Sequence, residues 1–279
     1  MNTVPATAAG ELPPPAPWTP PLHVESSGRG SPLVFWHGWG MNLRVFDALR
    51  GALGEDFRTH AVDLPGHGRS AWPAIGASGV DAFLQPLLRT LPERSTLVAW
   101  SLGAQLALQA AALAPERVAR LVLIGVTPRF VRAADWPHGI DESVLAQMRT
   151  RLSRDYRGTL SDFLELQLRG SRDGSSLLLS LRATLLAHGE AQPAALSAGL
   201  AALAHADLRA LLPGIQQPTL VIAGRNDRVT PPAAAAALAA ALPNARYHEY
   251  LRAAHAPFLS HTAEFLSLLH GFLAEAREP

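Results

Sequence analysis

The chain of 279 residues contains no lysine and no cysteine, since all 24 of its basic side chains are arginines. The absence of lysine excludes a Schiff-base amine, a lysine general base and the lysine of a phosphate-binding loop. The absence of cysteine excludes a thiolate nucleophile, disulfide bonds and thiolate-held zinc or iron–sulfur centres. A nucleophile in this protein must therefore come from serine, threonine, aspartate, glutamate, histidine or tyrosine.

The chain also lacks an excess of one charge and lacks long apolar runs. Its 24 basic and 23 acidic residues nearly cancel, so the strongly basic face typical of nucleic-acid binding is not expected. No apolar run approaches the ~20 residues that cross a bilayer, and the first residues lack the pattern of a signal peptide. We therefore expect a cytoplasmic protein with no nucleic-acid or membrane partner. We also expect a monomer, although charge and hydropathy do not bear on that point.

The order of predicted elements indicates an α/β fold. Residues 1–22 are rich in proline and predict a disordered or extended arm. After them, strand-like runs alternate with helical segments, which predicts a mostly parallel sheet flanked by helices. The predicted strands are Ser31–Trp36, Thr59–Leu64, Thr96–Trp100, Arg120–Val126, Thr219–Ala223 and Ala245–Tyr250.

One long interval breaks this alternation. Residues 127–205 carry leucines at helical spacing and contain no convincing strand. An insertion at the carboxyl end of a strand lies over the crevice in which open α/β sheets bind ligands. We therefore interpret 127–205 as a helical cap on a core made of residues 23–126 and 206–279.

The segment Ala99-Trp100-Ser101-Leu102-Gly103 follows a predicted strand and opens a predicted helix. It is close to G-x-S-x-G, the nucleophile elbow, in which small residues flank a serine held in a tight strand-to-helix turn. Alanine in place of the first glycine is the smallest departure available. A serine at a helix start also fits an ordinary N-cap, so the pentapeptide alone leaves two interpretations open.

Two further residues complete a catalytic arrangement. In α/β hydrolases the nucleophilic serine is followed along the chain by an acid and then by a histidine. Asp227 and His255 both follow predicted strands, which places them on the same rim of the sheet as Ser101. Singly, Asp227 also fits a turn aspartate and His255 a helix cap. Together and in this order, the three predict a catalytic triad.

The segment His37-Gly38-Trp39-Gly40 also ends a predicted strand. In this architecture such a loop supplies an oxyanion donor, and its glycines let the backbone approach closely. We predict that the backbone N–H groups of Trp39 and Leu102 bind the oxyanion, and that His67, in a glycine-flanked turn, is structural. No histidine pair has metal-ligand spacing together with a carboxylate, so we expect no metal.

Over roughly residues 30–275 the sequence resembles the α/β hydrolase superfamily. Within it, the chain is most similar to the pimeloyl-acyl-carrier-protein methyl ester esterases of biotin synthesis. The elbow and the triad are common to the whole superfamily. The narrower resemblance depends on the tryptophan after His37-Gly38, the tryptophan before Ser101, and the segments Asp135-Trp136-Pro137 and Phe163–Gln167.

This resemblance implies a serine carboxylesterase that needs no cofactor. Its substrate would be the methyl ester of a pimeloyl chain carried on acyl carrier protein, and its products pimeloyl-acyl-carrier protein and methanol. It also implies which residues bind the substrate, namely Trp39, Ser101, Leu102, Phe163, Leu164, Glu165, Leu166, Gln167 and His255.

In the family, arginines on the cap contact the phosphopantetheine phosphate and the acidic carrier. The candidates here are Arg149, Arg151, Arg154 and Arg157, because a guanidinium binds phosphate through two parallel hydrogen bonds. They do not all match the family's positions, and a solvated helix face explains them equally well. For the whole chain, the alternatives are a broad serine esterase, a lactonase or carbon–carbon hydrolase of the same fold, and a non-catalytic ligand receptor.

Overall fold

The protein is described by a computed structural model that covers residues 21–73, 79–171 and 173–275. All but the last two residues of the predicted proline-rich arm lie outside this range. The described residues form seven strands: β1 Val24–Ser27, β2 Ser31–Trp36, β3 Phe57–Val62, β4 Ser95–Trp100, β5 Val118–Ile124, β6 Thr219–Gly224 and β7 Ala245–Tyr250.

The strands make one sheet in the order β1-β3-β2-β4-β5-β6-β7. All neighbours are parallel except β1, which pairs antiparallel with β3 at the edge. The prediction of a mostly parallel sheet is therefore confirmed. The sequence analysis missed β1, because its four residues are half-buried or exposed and give no apolar run.

The described residues also form ten α helices. They are α1 Asp47–Leu53, α2 Asp81–Leu88, α3 Leu102–Leu113, α4 Glu142–Arg154, α5 Tyr156–Leu168, α6 Gly174–His188, α7 Pro193–His205, α8 Pro232–Ala241, α9 Pro257–Ser260 and α10 Thr262–Ala274. Proline begins α7, α8 and α9, where its fixed φ fits the helix and its missing N–H costs nothing. No helix of the described ranges is both long and apolar enough to cross a membrane.

Alternate residues of the central strands enter two separate cores, because successive side chains of a strand point to opposite faces. On β2, Val34 and Trp36 pack into the core that contains α2, α3 and α8, whereas Leu33 and Phe35 pack into the core that contains α1 and α10. Both faces are thus covered by helices. This explains why the strands read as continuous apolar runs.

Four helices, α4 to α7, lie between β5 and β6 in the chain. Within the described residues of this interval, strand-like pairing is limited to isolated bridges such as Val131 with Ile140. Helix α4 contacts α5 and α7, and α5 contacts α6. The four helices therefore pack on one another.

Candidate active site

Ser101 lies at the sharp turn between β4 and α3. Its backbone has φ 56° and ψ −117°, a conformation that residues other than glycine rarely adopt. The strand before it is buried along its whole length, and the Ser101 N–H donates to the carbonyl of Ile124 on β5 (2.9 Å). The side chain gives no N-cap hydrogen bond to α3, so the hydroxyl is not used for capping.

The glycine two residues after Ser101 is required by a close approach of two backbones. A Cβ on Gly103 would lie 2.5 Å from the carbonyl oxygens of both Trp36 and His37, at the end of β2. The same approach brings the following loop to the serine, since a Cβ on Gly38 would lie 3.2 Å from the Cβ of Ser101. The small residue of the elbow thus packs α3 against the loop that carries Trp39.

Asp227 and His255 form a fully buried pair. The Nδ1 of His255 donates to Oδ2 of Asp227 over 2.7 Å. The other carboxylate oxygen accepts from the N–H groups of Val229 (2.8 Å) and Thr230 (2.9 Å). The hydroxyl of Thr230 donates to Oδ2 over 2.8 Å. With four donors fixing the carboxylate, the orientation of the imidazole is fixed as well.

The ring of His255 is held from several sides. Its backbone N–H donates to the Gln167 carbonyl on α5 (3.0 Å), and its own carbonyl accepts from the indole N–H of Trp100 (2.9 Å). Gly125 has φ +52°, and a Cβ there would lie 2.8 Å from the imidazole. The Nε2 atom is buried, and no described residue is hydrogen-bonded to it. That nitrogen is therefore free to accept a proton.

The loop with Trp39 is fixed by two buried histidines. Nδ1 of His37 donates to the Gly38 carbonyl (2.8 Å), and Nε2 of His67 accepts from the Gly40 N–H (3.2 Å). Burial lowers the pKa of His37 to about 4 and that of His67 to about 3, so both are neutral near pH 7.

The backbone N–H groups of Trp39 and Leu102 do not donate to any other described residue. The Trp39 side chain is held by its indole N–H, which donates to the Leu196 carbonyl on α7 (2.8 Å). A Cβ on Gly199 would lie 2.6 Å from the Trp39 ring. Both predicted oxyanion donors are therefore unpaired within the described structure, and one of them is anchored to a helix of the 127–205 interval.

A cavity of about 140 Å³ opens beside Ser101. Among the residues predicted to bind substrate, Ser101, Trp39, Phe163 and Leu166 line it, and Trp39 and Phe163 meet edge to face with ring centroids 5.0 Å apart. Helices α4 and α7 provide most of the remaining wall, with Val144, Leu145, Met148, Leu200 and Leu203. The lining is apolar except for Ser101 and Arg228.

Three residues of the predicted segment, Leu164, Glu165 and Gln167, do not line this cavity. Leu164 lines a second, larger cavity of about 860 Å³ between α5 and α6. Glu165 is exposed and pairs with Arg169 (2.9 Å). Gln167 is buried and reaches His255 through its backbone carbonyl, while no described residue accepts a hydrogen bond from its side-chain nitrogen. Helix α5 thus separates the two cavities and also positions the histidine.

The four candidate arginines lie on α4 and α5, and all are exposed. Arg151 pairs with Asp162 (2.6 Å) and Arg157 with Glu190 (3.3 Å), and in the second pair the arginine side chain is 80% exposed. Arg157 also lines the larger cavity, together with Arg182. Pairs this exposed contribute little to stability and leave the guanidinium groups accessible to an anionic partner.

Sequence reasoning missed Arg228, Thr230 and the α4 and α7 side chains of the cavity. The helical spacing of Leu200 and Leu203 predicts a buried face but does not say which cavity that face meets. Thr230 follows Asp227 by three residues, and a threonine at that distance from an acid was a signal that could have been used.

A second cluster of titratable residues, His23, Asp63 and His188, also escaped the sequence analysis. Nε2 of His188, at the end of α6, donates to Oδ2 of Asp63 over 2.8 Å. The Asp63 carboxylate also accepts the N–H groups of Leu43 and Arg69. These atoms are already engaged in hydrogen bonds that attach α6 to the core. The absence of a metal stays a prediction.

The chain belongs to the α/β hydrolase fold family, whose model matches residues 31–262. The predicted fold class is thereby confirmed.

Two curated relatives carry a more specific name. The chain is 44% identical over 246 residues to the pimeloyl-[acyl-carrier protein] methyl ester esterase of Nitrosomonas europaea, with 88% of this chain and 97% of the relative aligned. The protein of the same name from Aliivibrio salmonicida is 36% identical, with 91% of this chain and 97% of that relative aligned. The predicted resemblance is confirmed.

Proteins of similar fold whose structures have been solved are named for different reactions. An esterase from Exiguobacterium antarcticum has a TM-score of 0.83 and 25% identity, covering 91% of this chain and 95% of its own. The enol-lactonase from Burkholderia xenovorans has a TM-score of 0.77 at 24% identity, covering 91% and 96%. Because one fold serves several chemistries, the substrate must be argued from the site and from the sequence relatives.

Proposed function

We propose that this protein is a serine carboxylesterase that hydrolyses the methyl ester of pimeloyl-acyl-carrier protein to pimeloyl-acyl-carrier protein and methanol, a step of biotin synthesis. The observation that carries the proposal is a strained serine at the wall of an apolar cavity, on the same rim as a buried histidine–aspartate pair. The names of relatives up to 44% identical support the choice of substrate.

The first half of the reaction is acyl transfer to Ser101. His255 carries its proton on Nδ1, donated to Asp227, so the unpaired Nε2 takes the proton of the Ser101 hydroxyl as the oxygen attacks the ester carbonyl. Asp227 stabilises the imidazolium that forms. The N–H groups of Trp39 and Leu102 bind the tetrahedral oxyanion.

The second half releases the product. The imidazolium protonates the departing methoxide, methanol leaves, and an acyl ester of Ser101 remains. Water then attacks this ester with His255 again acting as the base, and the acid is freed. Both oxyanion donors are backbone groups, so a side-chain substitution cannot remove them cleanly.

In this proposal the described helices within 127–205 form a cap over a core of residues 23–126 and 206–279. The cap supplies the cavity wall that holds the acyl chain, through Phe163 and Leu166. Leu164, Glu165 and Gln167 are the remaining residues of the predicted segment. Leu164 contributes through the packing of α5, and Gln167 contributes through the contact of its backbone carbonyl with His255. The enzyme acts as a monomer in the cytoplasm.

The carrier is proposed to bind through Arg149, Arg151, Arg154 and Arg157, which are all exposed on α4 and α5. Their exposure supports an accessible surface for phosphate and for an acidic protein. A surface of this kind raises the association rate and loses its effect at high ionic strength.

The decisive test is growth of a biotin-requiring bacterium that lacks its own methyl ester esterase. The wild-type gene should restore growth without biotin, and the Ser101→Ala variant should not. Purified protein should cleave methyl pimeloyl-acyl-carrier protein faster than a free short ester. Equal rates on the two substrates would indicate a broad esterase, and equal hydrolysis by Ser101→Ala would exclude the serine mechanism.

A second experiment tests the carrier surface. Charge reversal of Arg149, Arg151, Arg154 and Arg157 to glutamate should raise KM for the carrier-bound substrate and spare small esters. The matched control is Arg29→Glu, an exposed arginine in the turn between β1 and β2, at the opposite end of the sheet. Equal loss on both substrates would assign the four arginines to a merely solvated face.

A further inference from the structure

Helix α5 ends in a tight turn of residues 168–171, named here the α5 turn. Arg169 has φ −64° and ψ 117°, and Gly170 has φ +87°. The Ser171 N–H donates to the Leu168 carbonyl over 3.0 Å. These are the features of a type II turn, whose third residue needs a positive φ that glycine adopts without strain. The local sequence therefore fixes the direction in which the chain leaves α5.

The α5 turn contacts the histidine loop, residues 251–256, which joins β7 to α9. The Ser171 hydroxyl accepts a hydrogen bond from the backbone N–H of Ala254 over 2.9 Å. The N–H of the next residue, His255, donates to the Gln167 carbonyl at the end of α5 (3.0 Å). Ala254 and His255 are both buried, so water does not replace these acceptors. Two consecutive N–H groups of the histidine loop thus depend on α5 and its turn.

The α5 turn also contacts the acid loop, residues 225–231, which joins β6 to α8. The side-chain amide of Asn226, the residue before Asp227, donates to the Gly170 carbonyl over 3.0 Å. The backbone N–H of Asn226 donates to the Ala253 carbonyl of the histidine loop (2.9 Å), which ties the two loops to each other. One turn of the 127–205 interval therefore bridges both loops whose side chains form the buried acid–histidine pair.

We propose that Ser171 is a positioning residue for the reaction, because its hydroxyl fixes the backbone from which the His255 imidazole projects. The inference rests on the proposed roles of Ser101 and His255. Without the hydroxyl, the buried Ala254 N–H would lose its acceptor, and a shift of the histidine loop toward another partner would follow. Displacement of a catalytic group by about 1 Å can cost about 100-fold in rate, so a small shift is enough to slow proton transfer.

The position of Ser171 separates this role from substrate binding and from packing. Ser171 lines neither the cavity beside Ser101 nor the larger cavity between α5 and α6, so its loss should act on kcat rather than on KM. Its side chain is half-buried and belongs to neither apolar core, so its truncation leaves both cores intact. The helices of the 127–205 interval would thus contribute to the alignment of the reacting groups as well as to the cavity wall.

The test compares Ser171→Ala with Ser171→Thr on a short chromogenic ester, so that the carrier plays no part. Ser171→Ala should lower kcat about tenfold and leave KM unchanged. Ser171→Thr keeps the hydroxyl and should restore most of the rate. A spectroscopic readout follows the histidine directly. The low-field proton NMR signal of the hydrogen between His255 Nδ1 and Asp227 should shift or broaden in Ser171→Ala and stay in place in Ser171→Thr.

The matched control is Ser176→Ala on α6, where the serine is exposed and its hydroxyl donates to the Asp173 carbonyl just before that helix (2.9 Å). This variant should keep the wild-type kcat and the NMR signal. Thermal unfolding followed by circular dichroism checks that Ser171→Ala is folded. A second variant, Asn226→Ala, removes the contact with Gly170 from the acid loop, and it should lower kcat about threefold at unchanged KM.

The inference is overturned if Ser171→Ala keeps the wild-type kcat and NMR signal. It is also overturned if Ser171→Thr loses as much activity as Ser171→Ala, since the hydroxyl then plays no part. A higher KM at unchanged kcat would refute it as well, because that result indicates binding rather than alignment. Equal hydrolysis by wild-type protein and Ser101→Ala would instead refute the esterase site on which the inference rests.

Discussion

The loops at the strand ends and the helices of the 127–205 interval are built in different ways. Ser101, Asp227 and His255 are buried, and two of them are fixed by short hydrogen bonds. The outer faces of α4 and α5 instead carry arginines in exposed ion pairs, while their inner faces are apolar. The proposed chemistry thus depends on geometry that tolerates little change, and the proposed specificity depends on surfaces that can vary.

The contrast between these two regions predicts that the largest loss of activity follows substitution of the buried acid, Asp227. Asp227→Asn keeps the size of the side chain and leaves the imidazole with the wrong tautomer or an unpaired nitrogen. Loss of the carboxylate in serine hydrolases with these three groups lowers kcat about 10⁴-fold. Steady-state kinetics on a short ester measures it, and circular dichroism checks the fold. A loss below tenfold would contradict the proposed role of Asp227.

The loop behind the site should respond to pH through His37 and His67. Burial lowers the pKa of His37 from its ordinary 6.5 to about 4, so the unfolded chain binds the proton more tightly than the folded one. The free energy of unfolding should therefore fall as the pH drops from about 6.5 to about 4, by about 3 kcal/mol from this group alone. Urea unfolding at several pH values measures the slope.

The control for this slope is His37→Gln, whose amide can still meet the Gly38 carbonyl and the Leu64 N–H but does not titrate. The variant should lose stability less steeply between pH 6.5 and 4. An unchanged slope would show that other groups account for the acid sensitivity.

A smaller loss of activity is expected at Gly125. Alanine there would place its Cβ 2.8 Å from the His255 ring and would sit at φ +52°. Displacement of a catalytic group by about 1 Å can cost about 100-fold in rate, so kcat should fall by about that factor. Gly51→Ala on α1, with no atom within 4 Å of the added carbon, should leave kcat unchanged. Equal behaviour of the two variants would contradict the prediction.

Thr230 is expected to act as a positioning residue with a still smaller effect. Thr230→Val keeps the shape of the side chain but removes one donor to Asp227, so kcat should fall about tenfold while KM stays the same. Thr230→Ser retains the hydroxyl and should restore most of the rate. A loss shared by both variants would indicate packing rather than the hydrogen bond.

The smallest effect is expected for a substitution on the outer face of α4, where only the free energy of unfolding is tested. Arg151→Ala breaks an ion pair with Asp162 whose two side chains are more than half exposed. The free energy of unfolding should change by no more than about 0.5 kcal/mol. Thermal unfolding of Arg151→Ala beside Asp162→Ala measures it. A loss of several kcal/mol would remove the contrast between the fixed and the variable region.

Much of the sheet could be predicted, because its signals are local, and the proposal of Ser101, Asp227 and His255 as a triad rests on signals of the same local kind. Strands that are buried on both faces appear in the sequence as apolar runs. Ser101 can be recognised from the small residues around it, which its tight turn requires. β1 could not be predicted in this way, since an edge strand of four half-exposed residues has no such pattern. The residues of the cavity wall could not be predicted for another reason, because they lie on three different helices that meet only in the folded protein.

The sequence by itself determined the exclusion of lysine and cysteine chemistry, the alternation of strands and helices, and the order of serine, acid and histidine. These features depend on composition or on neighbours within one element. Only the tertiary structure decided that Arg228 shares a cavity with Ser101, that Gln167 holds His255, and that His188 bonds Asp63 across 125 positions of the chain. Contacts of this kind arise from packing between distant elements, and a single sequence carries no local signal for them.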